Sequence, residues 1–295
     1  MGAGKRMFKH PRSIGVVAVI RRFIGASVRA LLVISMVLVP AMILPMSQSV
    51  GASLIALVAV ITGAFTWSEY FSTYPTLVTF RAAAPFNRLR FIFLFGVITM
   101  TSVLVKDFLD PSEHFTFVQS LGVLCASVLD FQFSPVRIMS LLLPSGTPQV
   151  YVDLLMHAAG LAFVLAVMCV GCFAVLVSTR RWPEQKKVFN IWVNFPLMDH
   201  VSEEEIVPQL RRDSTVYYSL GILMPFLIPV VFKLAAPLFN AMVLLQAQTL
   251  IWVIAFWAFI PVSCLMRGIA LSRIATMIEA STPPADPVVK SGLHA

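Results

Sequence analysis

The chain has 295 residues, of which 58% are hydrophobic and only 12% charged, with a mean hydropathy of +0.86. Soluble domains carry roughly 25% charged residues, so there is too little polar surface here to coat a globule in water. A soluble enzyme, a disordered chain and a disulfide-stapled secreted scaffold are excluded. What remains is an all-α, polytopic transmembrane helical bundle.

Seven basic residues fall between Lys5 and Arg29, and the first acidic residue of the chain is Glu69. Residues 1–27 read as a basic cytoplasmic tail that meets anionic lipid. Within it the apolar run Ile14–Ile20 is expected to lie along the membrane surface. A mitochondrial transit peptide shares this Arg-rich, acid-free character. The transmembrane domain is expected over 28–274. Span one runs from Val28 to Met46 and span two from Val50 to Trp67, and the three-residue turn between them forces an antiparallel hairpin. Glu69, Tyr70 and Tyr74 mark an interface. A basic loop with Arg81, Arg88 and Arg90 leads into span three, Phe91–Phe108.

The stretch 111–148 is too interrupted for a standard span, which needs about 20 apolar residues. Phe115–Leu129 is short, and Val136–Leu143 is shorter and contains Arg137. It reads as a membrane-dipping or interfacial helical segment, with a seventh span as the alternative. Span four follows at Tyr151–Val177, then a polar loop over 179–216. In that loop Ser202 and Glu205 match a capping box that starts a short helix. Span five, Tyr217–Leu238, is bent by Pro225 and Pro229. Span six is Gln246–Met266, and residues 275–295 form a flexible tail.

Charge chooses between six and seven spans. Six spans put nineteen basic residues on one side and three on the other; seven spans give twelve and ten. The positive-inside rule selects six, with both ends cytoplasmic.

Few residues suggest chemistry. Asp153 and His157 share a helix face four residues apart, and a carboxylate beside an imidazole can orient a metal ligand or relay a proton. His114, in the same non-cytoplasmic region, would complete a bis-His site for a haem or metal. The plainer reading is that Asp153 and His157 hydrogen-bond each other or a neighbouring helix. Asp130 and Lys233 border apolar runs and are expected to pair or to snorkel. Cys169 and Cys172 form a C-x-x-C, but mid-span they read as small packing residues. Trp252 and Trp257 read as interface anchors. The aromatic run that holds Trp182 and Trp192 argues for a loop that hugs the bilayer or a partner. Glu203, Glu204 and Glu205, with Arg211 and Arg212, offer a docking surface or a solvated helix.

No phosphate loop, H-E-x-x-H, G-x-S-x-G or G-x-G-x-x-G occurs, and no span carries a train of arginines. The 14 glycines are sparse for a moving bundle. The expectation is a non-enzymatic accessory, assembly or regulatory protein of a bacterial inner membrane that binds lipid and other membrane proteins. It requires neither cofactor nor nucleic acid. A small transporter or channel is the alternative function, and the mitochondrial inner membrane the alternative location.

Overall fold

The computed structural model describes residues 16–45, 52–72, 78–81, 84–111, 116–179, 182, 203–235 and 246–281, and no strand occurs among them. The helices are α1 (Val16–Ile43), α2 (Ala52–Phe71), α3 (Phe86–Leu109), α4 (Phe117–Leu129), α5 (Pro135–Ile138, continued by a 3-10 turn Met139–Leu142), α6 (Gln149–Ser178), α7 (Glu203–Ala235) and α8 (Ala247–Ser281). Six of them, all but α4 and α5, are long and apolar enough to cross a membrane. The fold is the expected all-α bundle.

Helix α8 is its central post. Half of its apolar window is buried, against 17% for α2 and 11% for α7. Ala255, Ala258, Ala270 and Ala275 give it a slim profile, and α7, α6 and α3 all pack on it. Apolar surface gives no net drive between helices in lipid, so close approach through small residues decides which ones pair. A Cβ built on Gly221 of α7 would lie 2.5 Å from Leu265 of α8, and one on Gly268 would meet Ser214 and Tyr218 at 3.2 Å. The α1–α2 hairpin closes the same way, with Gly63 under Ile34, and joins the rest mainly through α3. The short α4 rests on α6 and α3: Gly160 faces the Cys125–Ala126 backbone, and Gly122 faces His157 and Leu104.

Several boundaries differ from expectation. Ile14–Ile20 is not a separate surface segment from Val16 onward, because α1 is one 28-residue helix. Arg21 and Arg22 do not interrupt it, since a charged side chain leaves the backbone ladder intact and its long stem reaches polar surroundings. The helix begun near Ser202 is not short. No breaker stands between Leu210 and Tyr217, so it continues as span five in one 33-residue helix. Span six runs on to Ser281, fifteen residues past Met266, and the 275–295 tail therefore begins as helix. At 1.5 Å per residue α7 and α8 are each about 50 Å long, whereas the hydrocarbon core is about 30 Å thick. Their excess forms a two-helix stalk at one pole. Arg211 grips Glu279 there through two hydrogen bonds, one of 2.9 Å.

Trp257 is not an interface anchor. It is 1% exposed, and its indole N–H donates to the Pro225 carbonyl at 2.9 Å. The reason lies four residues on. Position 229 is proline, which has no N–H to close the helical bond to that carbonyl, and a buried orphan carbonyl is costly. Trp257→Phe is expected to lower stability by about 1–2 kcal/mol, read as a fall in the thermal midpoint in detergent. In a Pro229→Ala background, where a backbone N–H returns, the same change should cost clearly less. Equal losses in both backgrounds would refute this account.

Candidate functional site

All spans end at one of two poles. The arginine pole gathers the starts of α1, α3 and α7 with the ends of α2, α6 and α8. The opposite pole gathers the other ends with α4 and α5.

Three of the predicted polar residues meet at the opposite pole. Asp130, Asp153 and His157 line one open cavity of about 350 Å³ with Arg137, Gln149 and Ser140. Ser134 caps α5 through the Val136 N–H and so presents Arg137 to the end of α4. Asp130 pairs with Arg137 at 3.6 Å, not with Lys233. Lys233 lies outside the cavity and reaches the Leu143 carbonyl at 3.5 Å. The expected Asp153–His157 hydrogen bond is absent, because Asp153 accepts instead from Gln149, one turn earlier, at 2.8 Å. Both members of the Asp130–Arg137 pair are more than half exposed, so water screens the pair and its stabilisation is small. The arrangement can hold a small polar solute, with acidic, basic and amide groups facing one space.

The other predictions scatter. His114 and Trp192 lie outside the described residues, as does the tail 1–15. Glu203, Glu204 and Glu205 are the first residues of α7. Arg211 is engaged by Glu279, whereas Arg212 is exposed, 3.9 Å from Asp213. Cys169 is buried against the Leu89 carbonyl and the Met266 sulfur, as a packing residue would be. Cys172 is exposed, and both are free thiols. Trp182 does not hug the bilayer: it is fully buried among Phe80, Phe86 and Phe173. Among the described residues no three His, Cys, Asp or Glu side chains come together as metal ligands.

The larger of the two cavities is at the arginine pole, where a linear reading registers only a count of charges. This cleft, of about 910 Å³, opens between α1, α3, the loop before α3 and Phe259 of α8. Arg29, Arg81, Arg88 and Arg90 line it, together with Tyr70 and Asn87. Arg29 donates to the Gly25 carbonyl at 2.7 Å and lies over the Tyr70 ring. Arg90 donates to Ser263 Oγ at 3.0 and 3.2 Å and lies over Phe259. Arg81 holds the loop by donating to the carbonyls of Glu69 and Ser72. Burial, and next to it the charge of Arg22, pull the Arg81 guanidinium below its ordinary value. Arg88 is exposed. The Glu69 carboxylate, itself buried, accepts from the Val78 N–H at 3.1 Å. Comparison with protein-family models, with curated proteins and with solved structures finds no match to this chain.

Proposed function

We propose that the chain is a non-enzymatic accessory factor of a bacterial inner membrane that works by binding other membrane components. The observation that carries this reading is the α7–α8 stalk. It is continuous with two spans, stapled by Arg211 and Glu279, and extends roughly 15–20 Å past a 30 Å hydrocarbon core. A continuous two-helix platform of this kind suits docking. It presents Arg212, 76% exposed and 3.9 Å from Asp213, to its surroundings.

Charge supports a cytoplasmic stalk. Among the described residues ten arginines lie at the stalk pole, while Lys106, Arg137 and Lys233 are the basic residues of the other pole. By the positive-inside rule this imbalance supports a cytoplasmic stalk and cytoplasmic chain ends. In a variant stripped of native cysteines, a membrane-impermeant maleimide should label Gln149→Cys in intact spheroplasts and Arg212→Cys only after permeabilisation. The reverse pattern would invert the topology.

A photo-crosslinking residue at position 212 should yield one discrete protein adduct in native membranes, while one at the lipid-facing position 227 should yield only lipid adducts. Lipid adducts alone at both positions would count against the accessory role.

A small-solute transporter is the second reading, favoured by the convergence of Asp130, Asp153 and His157 on one cavity. It requires that Asp130→Asn or His157→Ala, both in the cavity lining, abolish uptake without loss of protein. Unchanged flux removes it.

A further inference from the structure

We propose that the cleft at the arginine pole is a binding site for a membrane-resident amphiphile with an anionic phosphate headgroup, which enters sideways from the bilayer.

The first ground is charge. Four guanidinium groups line the cleft and no carboxylate does. If the nearby Glu69 is assigned wholly to Arg81, whose charge it favours, three cations remain. Arg29, Arg88 and Arg90 form no ion pair among the described residues. The partners of Arg29 and Arg90 are a carbonyl, a hydroxyl and ring faces, all of them uncharged. Like charges gathered in one concave, partly buried space repel one another and call for an anion.

The second ground is depth. Arg90 lies nineteen residues before Leu109, the end of α3, or about 28 Å along the helix. Arg29 lies fourteen residues before Ile43, the end of α1, or about 21 Å. In a core of about 30 Å Arg90 stands at the edge, while the Arg29 backbone lies about 9 Å inside it and its side chain reaches one turn back toward the pole, to the Gly25 carbonyl and the Tyr70 ring, near the level of the first chain carbons. Guanidinium groups at such depth face cavities and partners rather than hydrocarbon.

The third ground is the wall. Beside and below the arginines the lining is apolar: Val28, Leu32 and Val33 from α1, and Phe91, Ile92 and Leu94 from α3. Val28, Leu32 and Ile92 are also between 46% and 63% exposed, so the cleft is open along its side, where acyl chains lie. A free anion has no use for that wall. A phosphate with an attached chain fills both halves, with the guanidinium forks matching phosphate oxygens. The cleft's volume is at the upper end of the range for small-molecule sites. What the stalk docks has no bearing on this site.

The test uses the full chain in nanodiscs of dioleoyl phosphatidylcholine, titrated with dioleoyl phosphatidylglycerol and read by native mass spectrometry of the ejected complex. One tightly held phosphatidylglycerol per chain is expected. Arg88→Gln should weaken retention about tenfold, and Arg88→Gln with Arg90→Gln about a hundredfold, one charge-assisted contact each. Arg88 makes no internal hydrogen bond or ion pair among the described residues, so its loss tests binding without unfolding the chain. Arg212→Gln, on the stalk, should change nothing. Millimolar inorganic phosphate or glycerol 3-phosphate should fail to displace the lipid. Three results would each overturn the assignment. Phosphatidylcholine could be retained equally; Arg212→Gln could weaken retention as much as Arg88→Gln, which means bulk charge; or inorganic phosphate could displace the lipid, which makes the ligand a free anion.

Discussion

In a hydrocarbon solvent apolar faces gain nothing by leaving lipid for one another, so this bundle holds together where backbones come close and where polar groups are satisfied internally. Both conditions converge on α8. Its alanines and Gly268 admit α7, α6 and α3, Gly221 receives Leu265, and Trp257 completes the hydrogen bonding that Pro229 leaves open in α7. The hairpin of α1 and α2 attaches through α3 and adds little to that centre. Its looser attachment is what leaves room for the cleft.

The six spans were readable because a run of apolar residues has one stable form in lipid, and that signal is local. Their ends were harder. Hydropathy registers where the membrane stops, whereas a helix stops where its backbone ladder breaks. Residues 203–216 are polar and residues 267–281 mix basic with apolar side chains, yet both stretches remain helical, so α7 and α8 outrun their expected spans. The glycine count is similarly blind to place. Fourteen glycines are few for a moving bundle, but the number does not show that Gly63, Gly122, Gly160, Gly221 and Gly268 sit at helix crossings. Position mattered and number did not.

The polar sites were legible in part. Asp130, Asp153 and His157 stood out as ionisable residues beside apolar runs, and they share a cavity. Their partners were not legible, because Arg137 reaches Asp130 only through the short turn into α5, and Gln149 outcompetes His157 for Asp153 from one turn away. The arginine cleft was invisible as a site. Arg29 comes from α1, while Arg81, Arg88 and Arg90 come from the loop and start of α3, and the Ser263 that steadies Arg90 lies 173 residues downstream. In a linear reading such arginines register only as topogenic charge. The fold turns the same residues into a concave surface.

The course of α7 has a mechanical consequence. Its hydrogen-bond ladder is interrupted at Pro225 and Pro229, near the pole away from the stalk, and proline sites are where helices bend. From there to Glu203 the only further interior proline is Pro208, close to the free tip. The helix is therefore a pivot with a long arm. A small swing about the Pro225–Pro229 joint, against the Trp257 indole that braces it, moves the tip through a much larger arc. Between the joint and the tip the arm is tied to α8 where Gly221 meets Leu265 and where the Ser214 hydroxyl donates to the Gly268 carbonyl at 2.9 Å. A helix jointed in this way would turn a small change of angle at one face of the membrane into a larger displacement at the other without any change in its length or register.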